Sequence, residues 1–87
     1  MDREIETAFD KNLERYLSEW KEFLKFPSIS MEPEHADNCE RCASWLNSHL
    51  ESIGFSSRIV ETSSHPLVFA EYAGDSSAPT VLYYGHY

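Results

Sequence analysis

The sequence is poor in basic residues, glycine and cysteine, and it contains no long apolar run. Seven Lys and Arg stand against fifteen Asp and Glu, a formal charge of −8. Binding a phosphate backbone requires a basic face, so nucleic acid is not an expected partner. The same deficit argues against an anionic membrane surface. No stretch approaches the roughly 20 apolar residues of a bilayer-spanning helix. The acidic start Met1-Asp2-Arg3-Glu4-Ile5-Glu6 also lacks the apolar centre of a secretory leader. Two cysteines are too few for a disulfide scaffold, so a reduced, cytoplasmic protein is expected. Three isolated glycines provide no phosphate-cradling loop. Ser28 and Ser30 lie outside any G-x-S-x-G context for a nucleophile.

What is present reads as a folded chain: 41% hydrophobic and 25% charged residues over 87 positions. That length allows one small domain at most, with about 60–65% of the unfolded surface buried on folding. Ile5, Phe9, Leu13, Tyr16, Leu17, Trp20, Phe23 and Leu24 recur at three- and four-residue steps, which predicts an amphipathic helix from about Asp2 to Lys25. Its aromatic stripe is expected to form core. Pro27 ends it. A second helix is predicted from Glu32-Pro33 to Gly54, with Ala36, Cys39, Ala43, Leu46, Leu50 and Ile53 inward. Gly54 suits the position just past a helix end, with Phe55 making the apolar contact of a Schellman cap.

Beyond Phe55 the pattern changes to strands. Ser56–Glu61 and Leu67–Tyr72 are predicted to pair as a hairpin across the turn Thr62-Ser63-Ser64-His65-Pro66. Thr80–Tyr84 is predicted as a third strand, apolar on both faces and therefore interior to a sheet. The expected class is α/β: two N-terminal helices and then three strands. An apolar strand with an open edge is an aggregation hazard, so the chain is expected to be incomplete as a domain.

Three groups of residues invite a chemical role. His86 follows the third strand and Gly85, a placement that offers a fixed backbone and an open approach for a metal ligand. One histidine is not a site, since zinc centres use three or four protein ligands. Cys39 and Cys42 form a C-x-x-C inside a helix, with His35 and His49 flanking them. Packing is the favoured reading, with Cys39 in the core and Cys42 at its margin; a metal or redox module is the alternative. His65 reads as a turn histidine.

Taken in order, several segments resemble one family: Phe23-Leu24-Lys25-Phe26-Pro27-Ser28-Ile29-Ser30, Trp45-Leu46, Ile53-Gly54-Phe55, His65-Pro66 and Thr80-Val81-Leu82-Tyr83-Tyr84-Gly85-His86-Tyr87. They resemble the N-terminal segment of the di-zinc exopeptidases, which include carnosinase-type dipeptidases, glutamate carboxypeptidases, aminoacylases and acetylornithine deacetylase. The dipeptidase branch is the most similar. The resemblance covers essentially all 87 residues, and Tyr84-Gly85-His86-Tyr87 is its most specific part.

It implies that residues 1–87 are the N-terminal part of a metallopeptidase catalytic domain, the start of a mixed sheet covered by helices, with no second domain. It implies that His86 is the first zinc ligand, and that no catalytic residue lies within the chain. The family's bridging aspartate, its catalytic glutamate and its dimerisation domain all fall outside these residues. Two zinc ions, or cobalt or manganese in their place, would activate a water and polarise the scissile carbonyl of a dipeptide or N-acyl amino acid. A homodimer is implied for the complete enzyme. The other expectation carried forward is a truncated, non-enzymatic remnant or interaction protein whose open strand edge needs a partner.

Overall fold

The computed structural model describes residues 2–87. Helix α1 runs Asp2–Leu24, a 3₁₀ turn covers Pro33–His35, and helix α2 runs Ala36–Ser52. Strands β1 (Ser56–Val60) and β2 (Leu67–Glu71) follow. The two strands form an antiparallel pair in the register Ser56↔Glu71 to Val60↔Leu67. This confirms a mixed helix-and-sheet chain and the expected hairpin.

The third strand is a correction. Residues 79–87 adopt no regular structure. Val81, Leu82, Tyr83 and Tyr84 are 67–89% exposed. A strand exists only through the ladder bonds of a neighbour, and none of the described residues pairs with this segment. Strand propensity without a partner leaves this run without regular structure and in solvent. Among the described residues the sheet is therefore two-stranded and antiparallel.

Local chemistry explains the boundaries. Asp2 and Glu4 sit at the positive end of the α1 dipole and Lys21 near its negative end. Backbone bonds from Lys25 to Glu22 (3.2 Å) and from Phe26 to Phe23 (3.4 Å) tighten the last turn before Pro27 stops the helix. Pro33 opens the 3₁₀ turn, where a missing N–H is harmless, and α2 continues from it.

At the other end of α2, Gly54 adopts φ +101°. Its N–H donates to Glu51 O (3.1 Å) and the Phe55 N–H donates to Leu50 O (3.0 Å). These are the paired bonds of a Schellman motif. Phe55 then packs against Tyr72, ring centroids 5.7 Å apart.

The core is small and lies between α2 and one face of the hairpin. Among the described residues Cys39, Cys42 and Ala43 are buried apolar side chains, and Pro66 is buried as well. Ser57, Ile59, Val68 and Ala70 are the half-buried members of the alternating strand pattern, so they share the covered face. Ser57 Oγ donates to Asn47 Oδ1 at 2.6 Å and ties β1 to α2. On the outer face the Arg58 guanidinium lies 5.3 Å from the Phe69 ring centroid.

Helix α1 corrects a second expectation. It buries no residue completely. Ile5, Phe9, Trp20 and Leu24 are 51–61% exposed, so the aromatic stripe is not core among the described residues. Contact with α2 is confined to the C-terminal third of α1, where Phe23 and Phe26 approach Trp45 at 5.9 and 6.3 Å. Trp45 also stacks on His49 at 5.1 Å. His49 Nδ1 lies 3.3 Å from Glu19 Oε2, and Arg15 holds the other oxygen of that carboxylate at 3.0 Å. The radius of gyration, 15.3 Å, exceeds the about 12 Å expected of a compact chain of this length because α1 projects from the rest.

Candidate functional site

The C-terminal segment carries the residue singled out as a metal ligand. After β2, Asp75 organises a turn: its Oδ1 accepts from Ser77 N (2.9 Å) and Ser77 Oγ (2.8 Å). Those bonds hold the Asp75 carboxyl below its usual range. From Pro79 onward the chain has no regular structure. His86 lies there, with its side chain exposed. A Cβ built on Gly85 would meet nothing within 4 Å, so the approach to His86 is open but no neighbouring group uses it.

Tyr87 behaves differently. It is only partly exposed, and its hydroxyl donates to the Pro66 carbonyl. Pro66 is itself buried. Burial raises the Tyr87 phenol pKa above its ordinary value, and the nearby Cys39, Cys42, Glu61 and Glu40 add to that in decreasing order.

The turn before Pro66 is equally tied down. Thr62 Oγ1 donates to His65 O (2.7 Å) and accepts from Ser64 N (3.0 Å). The His65 ring donates from Nε2 to Ser30 O at 2.8 Å, joining the β-turn to the loop that follows α1. A turn histidine was legible in the sequence; its reach across 35 positions was not. The His65-Pro66 dipeptide was the available signal, because proline fixes the backbone from which both the ring and the Pro66 carbonyl project.

Cys39 and Cys42 are unpaired thiols, 1% and 0% exposed. Cys42 is thus in the core, not at its margin. Burial raises the Cys42 thiol pKa; the Ser28 hydrogen bond opposes this and Cys39 adds to it. Reactive thiols have the opposite surroundings, electropositive and part-exposed. His35 is engaged locally, accepting at Nδ1 from Asn38 (3.1 Å) with Nε2 3.5 Å from Glu32.

Among the described residues no three His, Cys, Asp or Glu side chains converge to hold a metal ion. A catalytic zinc needs three protein ligands and an open position. One exposed imidazole does not meet that requirement, so the residues present do not fit a complete zinc centre. The described residues include no helix long and apolar enough to cross a membrane.

Comparison with known proteins gives one informative likeness. The chain is 36% identical over 84 residues to a cysteinylglycine-S-conjugate dipeptidase of Corynebacterium striatum, an alignment that covers 87% of this chain. The chain spans only 17% of that relative's length. No family profile matches the chain, and no solved structure resembles it significantly.

Proposed function

We propose that this chain is the N-terminal segment of a zinc-dependent dipeptidase-like exopeptidase that hydrolyses short peptides or N-acyl amino acids. The observation that carries the reading is the 36% identity to a dipeptidase, which extends over nearly the whole chain. The motif Tyr84-Gly85-His86-Tyr87 supports it, together with the exposed position of His86. In this reading His86 supplies one zinc ligand, and the remaining ligands and the catalytic base come from residues outside these 87. The complete enzyme would then carry two metal ions and act as a homodimer in the cytoplasm. The segment supplies a helical layer, a hairpin and one ligand, and no catalytic turnover of its own.

The test uses two proteins: the 87-residue chain, and a version extended in frame to the length of the relative. Metal content and hydrolysis of cysteinylglycine and other dipeptides are measured for each. The 87-residue chain should be inactive in zinc. The extended protein should bind zinc and turn over, and His86→Ala should lower the zinc content by up to about one ion of the two and the turnover by at least about tenfold. Unchanged zinc content and turnover in the His86→Ala protein would overturn the assignment.

A second reading, a non-enzymatic interaction protein, is favoured by the exposed stripe Ile5, Phe9, Trp20 and Leu24. Exposed apolar surface of that extent usually marks a contact. It predicts that the 87-residue chain purifies with a bound partner or self-associates, and that extension adds no activity.

A further inference from the structure

We infer that Tyr87 is a latch: it fastens the segment 73–87 to the core and thereby fixes which way His86 faces. Every residue from Tyr72 to His86 is exposed, and no backbone hydrogen bond beyond the Asp75 turn restrains this stretch. A run of that length would move independently unless it were tied at its far end. Tyr87 is the exception. It is part-buried, and its hydroxyl donates to the carbonyl of buried Pro66. The acceptor is well held, because Pro66 follows His65, whose ring is bonded to Ser30 O.

With the Tyr87 hydroxyl held by Pro66, its neighbour His86 stands exposed. Tyr87 is therefore a positioning residue: it touches no reacting group but sets the direction from which the His86 imidazole can be approached. The latch stands on the contacts of this chain. Its value for chemistry rests on the reading of His86 given above.

The experiment needs no metal and no substrate. Backbone ¹⁵N relaxation and ring-proton contacts are measured on the 87-residue chain, comparing the native protein with Tyr87→Phe and Tyr87→Ala. The native chain should show heteronuclear NOE values at His86 and Tyr87 above those at Leu82 and Tyr83, and contacts from the Tyr87 ring to Pro66. Tyr87→Phe keeps the ring and loses the donor, so the closed population should fall roughly three- to tenfold, the size one net hydrogen bond supports. Tyr87→Ala should give His86 the mobility of Leu82. The amide spectrum of α2 and the hairpin should persist in both variants, which separates loss of the latch from loss of the fold. Native His86 as mobile as Leu82, or a Tyr87→Phe chain with unchanged relaxation and ring contacts, would overturn the inference. Failure of the zinc and hydrolysis tests with an intact latch would instead overturn the proposed function alone.

Discussion

Replacing Gly54 by alanine isolates the contribution of one backbone conformation. Gly54 has φ +101° and is the residue at which α2 terminates. A Cβ placed there meets only the Tyr72 ring, at 3.7 Å, an ordinary van der Waals distance. Steric collision therefore adds nothing, and the penalty is that of an L-residue in left-handed backbone, about 1–2 kcal/mol. Alanine also restricts the unfolded chain, which returns about 0.5 kcal/mol. The net loss is about 1 kcal/mol, or a fall in Tm of roughly 4–8 °C for a domain of this size. Gly74→Ala is the control: its φ is not positive and nothing lies within 4 Å of the added methyl. That variant should be neutral or more stable by up to about 1 kcal/mol. Urea unfolding followed by far-ultraviolet circular dichroism measures both. Equal midpoints for Gly54→Ala and Gly74→Ala would refute the claim that the Schellman cap requires glycine. Gly54→Asn should fall between the native chain and Gly54→Ala, because asparagine visits left-handed backbone more readily.

The Cys42 and Tyr87 pKa values are both raised in the folded chain. The unfolded chain thus loses these protons first, and the associated stability is present at neutral pH and declines as pH rises above about 9. A urea midpoint that is flat from pH 7 to 10.5 would contradict this. Buried Cys39 and Cys42 should react with a thiol reagent at pH 8 at least tenfold more slowly in the folded chain than in urea. Equal rates would show that the α2 face is open. Trp45→Ala removes the ring that Phe23, Phe26 and His49 pack on; a loss of about 2 kcal/mol is expected, together with faster proteolysis within α1 than within α2. Unchanged cleavage of α1 would mean that these rings do not dock it. His86→Ala should shift stability by less than about 0.5 kcal/mol, as befits an exposed side chain.

How much of this was legible in the sequence depended on whether each signal was local. The α2 terminus was readable because Gly54 and Phe55 encode the cap within two residues. The hairpin was readable because alternation and a Pro-containing turn specify it without distant information. Thr80–Tyr84 misled for the opposite reason: strand propensity describes a residue's preference once a neighbouring strand is present. The stripe on α1 misled in the same way, since periodicity identifies a face that can be buried but not the surface that buries it. The Tyr87–Pro66 and His65–Ser30 bonds join positions 21 and 35 residues apart, which no window along the chain can register. For the candidate site, the motif pointed to His86, but its isolation from other ligating groups became visible only in three dimensions.

Helix α1 is 23 residues long, so it extends about 34 Å, and its contacts with α2 lie at its C-terminal end, at Glu19 and Phe23 and at Phe26 just beyond it. Mechanically it is a lever arm with its fulcrum at the Trp45 ring. A rotation of about 10° at that fulcrum sweeps the far tip through about 6 Å, given the rise of an intact helix. The Glu19–His49 contact, 3.3 Å, lies one turn from the fulcrum. A small shift at these contacts is thus geometrically amplified at Ile5 and Phe9, so the direction in which the apolar stripe is presented depends on an aromatic joint at the other end of the helix.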